Sequence, residues 1–507
     1  MKRNILRCVT CFLALIFLLS AVVGCKNDDK AIPDDTGVNT SDGEVTTEGN
    51  VNDMDTLGEY DFGGAKYRIL ARESTVAEFD STVKTYGDTV SQAVFTREVY
   101  IEERFNVDIE VDKIGCWWPA GNDLSQCPWY VQYGNITLAG ISDYEMITGH
   151  QSICQSAAVK GYCKDLTTLE GIDLEKEWWS KEFYETCNLD GRMYVALGDI
   201  AHTLYADLFV VFFNGSLSER YLNDVDLYQM VEDDEWTWEN YKKFILEVSE
   251  IGVEESEKTY GYATGANACR SYATSFEVDY AQPIQNGDRV TYNFPQNPIE
   301  RTQNIMDELR SFFGGSTTAG SATDTVKLKM SDKDLNELFA NGKALFITQR
   351  LGQVSNFADK LLKDGYGVLP YPKYDEDQLE YHTDVYDGTS AITVPTNVGN
   401  AQMAGVITEA LCMYGYKEIR PEYLDDLLQG RYASDERMAQ MIDTIRESFT
   451  MNFFAAYGGA IGSPHVFAAT DSMIGGSIDG YATYFATYRL QYQKRLEKFY
   501  QAYNIRY

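Results

Sequence analysis

Positive charge is what this chain has least of. Its 507 residues carry 43 Lys and Arg against 77 Asp and Glu, a formal net charge of −34. Nucleic acid demands a basic footprint, so no nucleic-acid partner is expected. The same imbalance argues against electrostatic docking on anionic lipid. Histidine is scarce too, with four residues at 150, 202, 382 and 465. No CxxC pair or His/Cys cluster has zinc spacing, and no metal site is expected. No stretch after residue 25 is apolar for long enough to cross a bilayer. A nucleophile elbow, a phosphate loop and a metalloprotease helix are all missing. The Gly-Gly pairs at 63, 314, 458 and 475 lack the flanking pattern for any of them. No catalytic residue and no cofactor follow from these absences, and the chain has no internal repeat.

What is present begins at the N-terminus. Lys2, Arg3 and Arg7 precede an apolar run from Val9 to Val23, which ends in Val22-Val23-Gly24-Cys25. Charged, apolar and small-residue segments in that order make a secretory signal, and the final box resembles that of a bacterial lipoprotein. Residues 1–24 are read as the signal peptide and Cys25 as the site of lipid attachment. Localisation is then the extracytoplasmic face of a cell membrane. Residues 25–57 are polar and acidic, with too few large apolar side chains to offset the entropy of ordering. They read as a flexible tether with a reach of roughly 30 Å.

Of ten cysteines, Cys8 and Cys11 leave with the signal and Cys25 is lipidated. Cys116, Cys127, Cys154, Cys163, Cys187, Cys269 and Cys412 remain, an odd number, so at least one is unpaired within the chain. Disulfides are permitted outside the cytoplasm; Cys116 with Cys127 and Cys154 with Cys163 are the local candidates.

The remainder reads as α/β. Lys66–Leu70 is strand-like. A helix begins near Asp88, with Val90, Val94, Ile101 and Phe105 at helical spacing, and Val107, Ile109 and Val111 alternate as a strand does. Strand, helix, strand is a crossover unit. Further strands are expected at Tyr144–Thr148, Met193–Leu197, Leu208–Phe213, Ala344–Thr348 and Ala391–Val394, with a helix around Met403, Ile407 and Leu411.

Several segments occur in an order that resembles the extracellular solute-binding proteins of family 1, the sugar-binding group of ABC transporters that includes maltose-binding protein. Asp143-Tyr144-Glu145-Met146-Ile147 is similar to the family's strand ending in a ligand-facing loop. Gly161, Asp165 and Leu166 fit the turn that follows, and Gly191–Leu197 fits the strand entering the first hinge, without its usual proline. Phe212-Phe213-Asn214, Thr237-Trp238-Glu239, Phe339–Phe346 and Tyr366–Pro372 match further segments. The match spans residues 60 to about 415.

The resemblance implies a two-lobed, periplasmic-binding-protein-like fold of type II, with mixed sheets flanked by helices and a hinge of crossing segments. Lobe one would hold 58–200 and 373–415; lobe two would hold 205–365 and 416–507. It also implies a carbohydrate, probably too large for a single ring, held in the cleft between lobes for ABC permease subunits by a monomeric, non-enzymatic receptor. A surface glycan-degrading enzyme, or a glycan sensor or adhesin, is the alternative.

Sugars need aromatic faces and paired hydrogen-bond groups. Trp117 and Trp118 are adjacent, so both cannot face a core, and one is available as a stacking platform. Trp129, Trp178 and Trp179 fit ordinary packing. Trp238 fits the entry of a helix for which Thr237 is the N-cap. His150 and Gln151 follow a strand and suit hydroxyl binding. Arg350 ends another strand and brings a fork of donors. Asp387, Gly388 and Thr389 form a turn before a strand, Arg72 ends the first strand, and Arg270 and Tyr272 lie in a polar loop. A catalytic pair would have to be Asp143 and Glu145, which share one face of a strand.

Overall fold

The computed structural model describes residues 57–505 apart from 84–87, 120–121, 224, 249–252, 255–256, 266, 288, 315–323, 362–364, 434 and 477. The signal, the tether and Cys25 lie outside the described residues. Among the described residues no helix is long and apolar enough to cross a membrane.

The first sheet grows from the expected crossover unit. β1 (Ala65–Arg72) and β2 (Val107–Ile114) are parallel and joined by the helix Asp88–Phe105. β3 (Met146–His150) lies parallel on the other side of β1, and the late strand β11 (Ser390–Thr393) closes the sheet antiparallel to β3, giving the order β11-β3-β1-β2. Every residue of β3 is buried, as expected of a strand covered on both faces. Gly149 in β3 is required by close packing: a Cβ there would stand 2.6 Å from the Trp129 ring. Trp129 is wholly buried and donates its indole N–H to the Thr148 carbonyl at 2.8 Å.

The second sheet has five strands, β4 (Phe209–Asn214), β5 (Tyr260–Gly265), β8 (Val326–Met330), β9 (Ala344–Arg350) and β10 (Tyr366–Leu369). Their order is β10-β4-β9-β5-β8, mixed in direction. β6 (Gln282–Asn286) and β7 (Arg289–Asn293) form a separate hairpin. The core of the second region is aromatic. Trp238 is packed among Tyr241, Tyr272, Phe276, Phe312 and Phe313. Trp238 thus enters its helix as expected, but the Thr237 side chain makes no capping bond.

The chain leaves the first sheet after β3, enters the second at β4, and returns between β10 and β11. The outgoing and returning stretches touch, with Leu208 bridged to Val385. The terminal helices are shared. Gly458–Ile461 packs on Gln151–Val159 beside the first sheet, whereas Ala468–Ile474 packs on Glu300–Phe313 beside the second. The expected strand Met193–Leu197 is irregular; only Ala196 pairs, with Ile392.

Candidate functional site

The parallel strands β1, β2 and β3 all end at one edge. Arg72 ends β1, the Cys116–Trp118 segment follows β2, and His150 ends β3. Loops at the carboxyl ends of parallel strands are the usual place for a ligand. Arg350 ends β9 of the second sheet, and these four elements border one cleft of about 530 Å³. Its walls also include Asp207, Gln353, Asn356, Tyr386, Tyr423 and Tyr432.

Trp117 is half exposed at the cleft mouth. Trp118 is more enclosed: its indole N–H donates to the Asn122 side chain, and its ring meets His465 edge-on at 5.1 Å. His150 is 4% exposed and accepts or donates between Nδ1 and the Ser152 hydroxyl at 3.2 Å. Burial drives its pKa down to about 4, with Arg72 adding to the effect against the pull of Asp387. His150 is therefore a neutral hydrogen-bonding ring at neutral pH. Arg72 donates to the Gly388 carbonyl at 2.5 Å.

Arg350 bonds Asp207 at 3.1 Å and Asp332 at 2.7 Å. Burial opposes its charge, but Asp207 and Asp332 outweigh that cost and raise its pKa. Burial raises Asp207 to about 6, with Arg350 holding it back.

The remaining predicted residues divide. Asp387 and Arg270 line a small recess that shares Tyr386 with the cleft. Gly388 contributes its carbonyl to Arg72. Three expectations need correction. Gln151 points away from the cleft, its side chain donating to the Ala456 carbonyl at 3.0 Å. Thr389 is fully buried. Tyr272 is also fully buried, in the aromatic cluster around Trp238, because its short helix turns the ring inward. The two expected disulfides are not formed: all seven described cysteines are free and buried. Cys116 and Cys127 nonetheless touch, and the hydrogen bond from Cys116 lowers Cys127 to about 6.

A larger hollow of about 650 Å³ lies on the other side of the helix Thr203–Ala206. Thr203, Ala206 and Asp207 face the cleft; Leu204, Tyr205 and Leu208 face the hollow. Trp178 and Trp179 border it, but both are almost fully buried and commit their indole N–H groups to Glu409, at 2.8 and 2.9 Å. It offers neither an exposed aromatic face nor a convergent set of donors. The 530 Å³ cleft offers both, within the range of about 300–1,000 Å³ for ligand sites.

The residues that sequence reasoning missed are Asp207, Gln353, Asn356, Tyr386, Tyr423 and Tyr432. Asp207 and Tyr386 come from the stretches between sheets, and the others from irregular turns; none carries a local pattern. Among the described residues no cluster of His, Cys, Asp or Glu is suited to a metal ion.

Mixed sheets flanked by helices, with a cleft at the ends of strands from both, define a periplasmic-binding-protein-like fold. No protein-family model and no curated sequence matches the chain. Among solved structures it is similar to a cyclo/maltodextrin-binding protein complexed with maltotetraose, at TM-score 0.51 and 12% identity, over 89% of this chain and 98% of that one. It is also similar to the GacH receptor of Streptomyces glaucescens GLA.O, solved unliganded and with acarbose and an acarbose homolog, at TM-score 0.53 and 13% identity, over 85% of this chain and 99% of that one. At such identities the likeness establishes the fold.

Proposed function

We propose that this protein is a lipid-anchored extracytoplasmic receptor that captures a carbohydrate, in particular an oligosaccharide, in the 530 Å³ cleft and presents it to the permease subunits of an ABC importer. The observation that carries the reading is the meeting of a half-exposed Trp117 with Arg72, His150 and Arg350 in one cleft. Apolar sugar faces stack on the first, and hydroxyls pair with the others. A ligand that touches both walls favours the closed arrangement by its differential affinity. The 58–200 plus 373–415 and 205–365 plus 416–507 division is the corresponding proposal for the lobes. Cys25 carries the anchor in this reading.

The glycan-degrading alternative has weaker support. Glu145 accepts a hydrogen bond from the Arg68 amide at 2.7 Å. It therefore lies toward the start of β1 and β3, whereas Arg72 and His150 border the cleft at their ends. Asp143 and Glu145 are not placed to flank a bond held there.

Calorimetry against a panel of oligosaccharides tests the reading, with solution scattering for compaction on binding. Micromolar or tighter binding of a saccharide, without release of reducing ends, is the expected result. Binding of peptides or amino acids but no saccharide would overturn it.

A further inference from the structure

Behind Tyr386 the cleft adjoins a recess of about 30 Å³, lined among others by Asn267, Arg270, Thr274, Asp384, Asp387 and Asn452. A space of that size holds one small polar group and no sugar ring; one water needs about 10–15 Å³. Its charges are unevenly matched. Arg270 is engaged by Asp471 at 2.7 Å, and its guanidinium carbon lies 4.9 Å from the centre of the Phe467 ring. Lys329 also acts on Asp471. Against these two cations stand three carboxylates, Asp384, Asp387 and Asp471, while His465 is kept neutral by burial.

Asp384 is 7% exposed. Its Oδ2 accepts from the Ser271 hydroxyl at 3.1 Å. Its Oδ1 is buried, and no hydrogen bond of acceptable geometry reaches it, although the Thr274 side chain is near enough to favour the charge. A buried acceptor without a donor costs free energy unless something supplies one. Asp387, the next carboxylate, accepts only a long bond from the Ser152 hydroxyl, at 3.3 Å. The recess thus presents acceptors and surplus negative charge, and it opens beside the sugar cleft.

We propose that the recess receives a protonated amino substituent of the bound saccharide, with Asp384 and Asp387 accepting its hydrogens, so that the ligand is an amino sugar rather than a neutral one. This rests on the reading of the cleft as a carbohydrate site. A hydroxyl would satisfy one acceptor; an ammonium group supplies three donors and the missing charge.

The test is calorimetry on the full chain with saccharides matched except for one substituent: amino-bearing, N-acetylated and hydroxyl forms of the same backbone. The amino form is expected to bind about tenfold or more tightly than either partner. In Asp384→Asn, which keeps an acceptor for Ser271, the amino-to-hydroxyl preference is expected to fall to about one. Thermal unfolding of the variant verifies that it is folded. Equal or better binding of the hydroxyl forms overturns the amino-sugar assignment and leaves the carbohydrate reading standing. An undiminished preference in Asp384→Asn overturns the role of the recess. No binding by any saccharide removes the carbohydrate reading itself.

Discussion

The Arg350 guanidinium carbon lies 4.9 Å from the centre of the Tyr386 ring. The two residues join a strand end of the second sheet to the stretch returning toward the first. The same guanidinium holds Asp207 and Asp332, so one side chain ties three segments around the cleft. Arg350→Lys keeps the charge but loses the planar fork and the flat contact with the ring. Ligand affinity is expected to drop about tenfold with little change in stability. Arg350→Ala also strands the buried Asp207, and a stability loss of roughly 2 kcal/mol should accompany the loss of binding. Calorimetry paired with urea unfolding separates the two effects.

Gly115 sets the position of Trp117. A Cβ at residue 115 would stand 2.5 Å from the Trp117 ring. The ring is half exposed and can yield by swinging into solvent. Gly115→Ala should therefore lower ligand affinity several-fold while changing stability by less than about 1 kcal/mol. Trp117→Ala should lower affinity about tenfold, with stability again preserved. Equal affinity in both variants and the parent would remove Trp117 from the site.

The parts of this arrangement that were legible in the sequence are the strand ends. Val107, Ile109 and Val111 alternate as a strand requires, and Arg72 and His150 could be placed because each ends an apolar run. The cleft's other wall was not legible, because Asp207, Tyr386 and Tyr423 meet only through the crossing of stretches far apart in sequence. Tyr272 misled for a related reason. Its neighbours are polar, but its ring is claimed by Trp238 and Phe313, contacts with no local trace. Gln151 was likewise claimed by Ala456, 305 positions along the chain. The hairpin β6–β7 carried a signal that went unread: Asn286-Gly287 is a tight-turn dipeptide, and Gly287 has φ +67°.

Glu409 makes the stability of the fold depend on pH. It accepts from both Trp178 and Trp179, and burial lifts its pKa from 4.5 to about 7. A raised folded-state pKa means that the folded protein holds the proton more tightly. The contribution is complete below about pH 4.5 and is lost as pH rises through about 7. His150 and His202 work in the opposite sense: burial lowers them to about 4 and about 3, so their contributions are lost on acidification. These are common to parent and variant and cancel in a comparison. Urea unfolding of the parent and Glu409→Gln at pH 5 and pH 8 should show a stability gap larger at pH 5, by on the order of 2 kcal/mol. An equal gap at both values would mean that Glu409 does not titrate as described.

Gly388 places the ring that divides cleft from recess. A Cβ there would fall 2.2 Å from a Tyr386 ring carbon. That ring has little room to give way, since it meets His150 edge-on at 5.8 Å and Phe209 at 6.2 Å and is covered by Arg350. Gly388→Ala must therefore move Tyr386, and with it the Arg350 contact and the opening between the two spaces. Affinity should fall tenfold or more. Tyr386→Phe keeps the ring in place and should remain within about threefold of the parent, because what the site uses is the ring's position rather than its hydroxyl. If Tyr386→Phe lost as much affinity as Gly388→Ala, the hydroxyl would be the binding group, and the ring's role as a partition would have to be given up.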